Sequence, residues 1–202
     1  MPEQKFSLRL VSGPTIEPVT VAEVKTYAHI DHTTEDALIG QWIKSARILA
    51  EGYQRRAYMR QTWEVIYDCF PAMPLYIPRP PLVEVKSVKY YDYQDTETEL
   101  TLATYFQIDT NHEPGRIAFK YGQTWPTATL RDLEVLKIQY VAGYNIAGST
   151  STTEDPDASD VPANVKDAIY LYCTYRSENR TAEGGSVPDQ FYNLLSDERI
   201  YL

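Results

Sequence analysis

The chain has 202 residues, with 28 acidic side chains against 19 basic ones and a formal net charge of −9. That balance argues against general adhesion to phosphate backbones or anionic membranes, and so against a sequence-reading DNA binder. The length supports one domain or two small ones without disulfide staples.

Cys69 and Cys173 fall inside apolar runs without CxxC spacing, so two buried thiols in a reducing compartment are expected. No run of about 18 apolar residues occurs, and the opening MPEQKFSLRL has no signal-peptide core, so the chain is expected in the cytosol or assembled from it, with no membrane partner. The 17 tyrosines stand out, because that ring joins a large apolar area to a polar tip, a combination enriched at protein interfaces. Half-buried strand positions account for part of them.

Residues 1–19 read as an extended lead that alternates apolar and polar and then breaks at Gly13, Pro14 and Pro18. A short helix follows. Thr20 can cap it, Glu23 can reach back to the Thr20 amide, and Val21, Val24, Tyr27 and Ala28 recur at helical spacing. A second cap is expected at Thr33 or Thr34, opening a longer helix from about Glu35 to Arg55. Leu38, Trp42, Ala46, Leu49 and Tyr53 mark one face, widened by Ile39 and Ile43, while Lys44, Arg47, Glu51 and Arg55 fall mostly opposite. Such a wide stripe is expected against a core or a neighbouring subunit.

From residue 61 the period changes to two: Trp63, Val65, Tyr67 and Cys69 share one face of a half-buried strand. Further strands are expected over Val83–Tyr93, Tyr105–Asp109, Arg116–Tyr121 and Leu136–Val141, the content of a small antiparallel β-sandwich or barrel. Pro78, Pro80 and Pro81 interrupt this block, and proline donates no ladder hydrogen bond. Their segment reads as a shaped strand edge, a strand-connecting arm, or an ordinary loop. Residues 147–160 have the composition of a flexible acidic loop, a third helix opens near Pro162, and a short last helix spans about Asp189–Ser196 after a glycine pair at Gly184 and Gly185.

The expected organisation is α+β. A lead with N-terminal helices (1–60) and C-terminal helices with a tail (161–202) form a helical core, with the antiparallel β block (61–146) and the acidic loop (147–160) inserted between them.

His29 and His32, beside Asp31, offer metal ligands only superficially, since the spacing does not put both rings on one helical face and zinc needs further ligands in fixed geometry. The motifs GxSxG, GxxxxGK[ST] and GxGxxG are absent, so no metal, cofactor or enzymatic activity is expected.

Taken in order, EPVTVAEVKTYAHIDHTTEDALIGQWIKSARILAEGY (17–53), QTWEVIYDCFP (61–71), IPRPPLVEVKSVKYYD (77–92), YGQTWP (121–126), VAGY (141–144) and VPANVKDAIYLYCTYRSENR (161–180) resemble the head-to-tail connector, or adaptor, proteins of long-tailed phages and gene transfer agents. The resemblance implies a non-enzymatic ring, commonly of twelve subunits, assembled in the host cytoplasm and placed in the virion neck. Such a ring docks on the portal protein and is the platform for the next neck or tail component, a stopper or tail terminator, while DNA passes without specific binding. It also implies that Arg199, Ile200, Tyr201 and Leu202 touch the portal. Asp95, Glu97, Glu99, Glu154, Asp155 and Asp157 are then candidates to face the channel, where like charge repels phosphate. Two other readings stay open: a carbohydrate- or protein-binding β module using Trp63, Trp125 and the tyrosines as a stacking platform, and a hydrolase using Asp, Glu and His.

Overall fold

The computed structural model describes residues 5–144, 161–179 and 187–200. The acidic loop, the glycine pair at 184–185, and the candidates Glu154, Asp155, Asp157, Tyr201 and Leu202 lie outside them. The fold is mixed α and β with antiparallel sheets, and the chain divides into two compact units: Met1–Gly13 with Arg60–Gly143, and Pro14–Met59 with Tyr144–Leu202. Among the described residues no helix is long and apolar enough to cross a membrane.

The β unit takes the extended lead, which the sequence groups with the helices. Strand β1 (Ser7–Ser12) pairs antiparallel with β2 (Gln61–Tyr67), so the two segments meet across more than 50 residues of chain. Arg9 stands opposite Glu64 and its Nη2 donates to Glu64 Oε2 at 2.7 Å. That contact allows a carboxylate on β2, which lies between β1 and β8 (Leu136–Ala142) and is buried on both faces at Val65 and Ile66. The five-stranded order is β1-β2-β8-β4-β5, with β4 at Leu82–Tyr91 and β5 at Glu97–Glu99. Three more strands, β3 (Leu75–Tyr76), β6 (Phe106–Asp109) and β7 (Arg116–Phe119), form a second sheet in the order β3-β7-β6, and one helical turn, α3 (Leu102–Tyr105), precedes β6. Neither sheet closes on itself, so the barrel does not form.

The proline segment is a connecting arm and not an exposed edge. It joins β3 to β4, which belong to different sheets, and Pro78 and Pro80 are buried. The Tyr140 hydroxyl, itself buried, donates to the Pro78 carbonyl at 2.9 Å, and the Gly143 amide donates to the Pro81 carbonyl at 3.0 Å. The arm accepts hydrogen bonds without needing to donate them, which suits residues that lack an amide hydrogen.

The helical unit contains α1 (Val21–Ala28), α2 (Asp36–Gln54), α4 (Ala163–Glu178), α5 (Asp189–Leu194) and a 3-10 turn (Ser196–Glu198). Thr20 and Glu23 close the expected capping box: the Glu23 amide donates to Thr20 Oγ1 at 3.2 Å and the Thr20 amide to Glu23 Oε2 at 2.6 Å. The second expected cap is not made. Glu35 stands at that position without a side-chain capping bond, and Thr34 Oγ1 pairs with His32 Nδ1 at 2.9 Å. The core joins Val24, Ile39, Trp42, Ile43, Ala46 and Ala50 to Val165, Ala168, Ile169, Tyr172, Cys173, Phe191 and Leu195.

Candidate functional site

The long helix α2 carries most of the residues that the sequence singles out. Its core stripe runs through Ile39, Trp42, Ile43, Ala46 and Ala50, each below one-tenth exposed. The expected stripe is therefore rotated: Trp42 and Ala46 point into the helical unit, Tyr53 is half-buried, and Leu38 and Leu49 are both 38% exposed.

Arg47 and Glu51, expected opposite the core, are buried at 4% and 6% exposure. Arg47 Nε lies 2.6 Å from Glu17 Oε2, Arg47 Nη1 lies 2.8 Å from Glu51 Oε2, and the Tyr58 amide donates to Glu51 Oε1 at 3.0 Å. Burial alone would lower the Arg47 pKa, but the two carboxylates outweigh it and hold the guanidinium above its ordinary value. The sequence signal for this network is the i,i+4 spacing of Arg47 and Glu51; nothing local reveals Glu17, 30 residues away.

The C-terminal segment is anchored on the last turn of α2. Arg199 lies over the Tyr53 ring at 4.8 Å, the Ile200 amide donates to the Gln54 carbonyl at 3.0 Å, and Gln54 Nε2 donates to the Leu195 carbonyl at 2.8 Å. Tyr58 Oη completes the cluster with a bond to Gln54 Oε1 at 2.5 Å. Arg199 and Ile200 thus hold their own unit together, whatever else they touch.

On the β unit, Asp95, Glu97 and Glu99 come together at the hairpin formed by β4 and β5, but each has a basic neighbour. Lys89 Nζ lies 2.6 Å from Glu97 and 4.0 Å from Glu99, Tyr91 Oη donates to Glu97, and Arg131 lies 3.3 Å from Asp95. The Lys89 and Tyr91 hydrogen bonds hold the Glu97 carboxyl below the usual range. Arg131 also covers the Tyr91 ring at 3.9 Å. Counted by unit, ten basic residues face twelve acidic ones here, a net of −2, whereas nine against sixteen in the helical unit leave −7. The acidity belongs to the helical unit's sequence and not to this hairpin.

The tryptophans do not make an open stacking platform. Trp125 lies flat against Phe70 at 4.7 Å, meets Phe119 edge-on at 4.9 Å, and donates its indole N–H to the Pro71 carbonyl at 2.7 Å. Its role is to fasten the segment between β7 and β8. Trp63 has Arg79 over its ring at 5.3 Å. These contacts engage the two tryptophans of the carbohydrate-platform reading within the chain, while several of its tyrosines stay exposed. The most exposed rings are Tyr93, at 64%, and Tyr121, at the tip of the turn after β7.

His29 ends α1 in the left-handed region at φ 53°, with its amide donating to the Lys25 carbonyl, and His112 Nδ1 meets the Pro114 carbonyl at 2.9 Å. Among the described residues no three metal-capable side chains converge. Cys173 is buried as expected, but Cys69 is exposed, because β2 stops at Tyr67 and the chain bends away before the pattern can bury it.

No family model and no curated protein matches the chain. Its fold is that of chains in gene transfer agent particles. A chain of the virion of a native particle superposes with a TM-score of 0.74 at 17% identity, over 96% of each chain. A chain from the neck of an empty particle, computed with C6 symmetry, gives 0.75 at 18% identity over 97% of this chain and 96% of that one. A chain from the neck of a native particle, computed with C12 symmetry, gives 0.73 at 18% identity over the same shares.

Proposed function

We propose that this chain is a head-to-tail connector of a phage-like particle: a non-catalytic subunit of a homo-oligomeric ring, of twelve copies, in the virion neck. The observation that carries the reading is the end-to-end likeness of fold to neck chains of gene transfer agents, one of them in a C12 neck. The ring docks on the portal protein and presents its other side to a stopper or tail terminator, and DNA passes through its centre. Copies assemble from the host cytoplasm.

The portal contact is proposed for the C-terminal segment, Arg199 to Leu202. Since Arg199 and Ile200 also fix the tail to α2, Tyr201 and Leu202 are the better probes of attachment. For the channel, Glu154, Asp155 and Asp157 are favoured over Asp95, Glu97 and Glu99, whose charge is largely matched by Lys89 and Arg131. Twelve copies at −9 each give a ring near −100, which opposes the counterion release that would trap duplex DNA.

The test is the mass of the purified chain by light scattering, alone and with its portal. A complex containing many copies per portal supports the reading. A chain that stays monomeric and unbound with portal present removes it.

A further inference from the structure

Closure of copies into a ring, the premise taken over from the proposed function, requires a heterologous contact, in which one patch of a subunit meets a different patch of the next. A self-complementary patch would stop at a dimer. The helical unit has two patches that fit each other.

The first is the outer face of α2. Eight positions of this helix are exposed, and only Lys44 among them is charged. The others include Leu38, Gln41, Ser45, Ile48, Leu49 and Gly52, with Ile48 at 53% exposure. A helix face that looks into water normally carries charge, so this one has the composition of a covered surface. Gly52 adds an independent sign. Glycine inside a helix is unfavourable, and here it relieves no contact in its own chain, since a Cβ at this position would meet nothing within 4 Å. A close approach by another chain gives the missing Cβ a reason.

The second patch is a groove of about 480 Å³ where α1, α4 and the start of α5 meet. Tyr27, Leu171, Tyr175 and Val187 line it, and Glu178 and Asp189 stand on its rim. Thr174 lines it too. Thr174, Tyr175 and Glu178 occupy the side of α4 away from Val165, Ala168, Ile169 and Cys173, which pack in the core, while the half-buried Leu171 also packs against that core. The inner faces of α2 and α4 pack in one core, so the outer faces of these two helices, which carry the two patches, point apart.

We infer that the α2 face of one copy, centred on Ile48 and Gly52, seats in the α1/α4/α5 groove of the next copy, and that this contact propagates the ring. Shape and charge both favour a second copy as the occupant. Ile48 and Leu49 form an apolar ridge for an apolar trough, and Lys44 borders the ridge while Glu178 and Asp189 border the trough. Ridge against ridge would bring Lys44 toward Lys44 and could not propagate.

The experiment uses the full chain with the exposed thiol removed by Cys69→Ser. One preparation carries Ser45→Cys on the ridge and another Gln190→Cys on the groove; both are kept reduced, and oxidant is added to each alone and to their mixture, with and without the portal, while light scattering reports mass. The expected result is a disulfide-linked pair in the mixture and at least about tenfold less in either preparation alone. Lys44→Glu and Asp189→Lys should each raise the concentration for half-assembly about tenfold, and the two together should restore it, a rescue that misfolding cannot imitate. Oligomers without the mixed cross-link, or with a Ser45→Cys self-link, overturn this interface and leave the ring reading standing. A chain that stays monomeric even with portal overturns both.

Discussion

Arg47 Nη1 and Glu51 Oε2 lie 2.8 Å apart, one turn from each other on the buried side of α2, with Glu17 closing the other side of the guanidinium. Charges taken out of water must recover their hydration from partners. Removing one partner leaves the other uncompensated, at a cost of about 3 to 5 kcal/mol. Arg47→Ala should therefore destabilise the helical unit by that amount, read from urea unfolding followed by helical circular dichroism. A loss below about 1 kcal/mol would show that water reaches the site and that the network is not the anchor of the segment around Glu17.

The capping box gives a smaller effect with a pH signature. Thr20→Ala should cost about 1 kcal/mol and reduce amide-exchange protection in α1. Hydrogen bonds from the Thr20 backbone and side chain hold the Glu23 carboxyl below its ordinary value. A carboxylate with a lowered folded pKa stabilises fully above its unfolded pKa, about 4.3, and loses that contribution as pH falls through the folded value. The gap between wild type and Thr20→Ala should narrow below about pH 4. A gap that widens toward acid would contradict the reciprocal bond to Glu23.

Two glycines predict opposite outcomes. At Gly115 a Cβ would stand 2.4 Å from Leu82 Cβ and 2.6 Å from its Cδ2, and the Gly115 carbonyl accepts from the Ile77 amide at 2.7 Å, so neither strand can yield cheaply. Gly115→Ala should destabilise the β unit by about 1 to 3 kcal/mol. Gly52→Ala meets nothing and should stabilise the unassembled chain by about 0.5 to 1 kcal/mol. Thermal unfolding of both variants checks the pair, and equal shifts in the same direction would contradict it.

The thiols should separate by reactivity. Cys69 is exposed, whereas burial pushes the Cys173 pKa up to about 12. A thiol reagent at neutral pH should label one cysteine of the native chain quickly, and the second only after denaturant is added. Rapid labelling of both would mean that the α4 core opens readily.

Much of this architecture is legible locally. The Thr20/Glu23 box, the period-two run of β2 and the limits of α2 each depend on residues within a few positions of one another. What escapes is non-local or too short. Nothing in SLRLVS says that it pairs with QTWEVIY, and β3 and β5 have two and three residues. The face of α2 is rotated for a different reason: hydropathy assigns Arg47 and Glu51 to solvent, but Glu17 and the Tyr58 amide satisfy them inside, which leaves Leu38 and Leu49 outside. For the candidate surfaces, composition reveals the tyrosine excess, while the partners of Asp95, Glu97 and Trp125 become visible only once the strands are placed.

The most direct test of a neck role is electron microscopy of the purified chain mixed with its own portal. The account predicts class averages of a ring with rotational symmetry, twelvefold in the end view, stacked on one face of the portal with an open centre. Portal particles with no added density, alongside free chains of 23.2 kDa at concentrations well above those used for the complex, would contradict it.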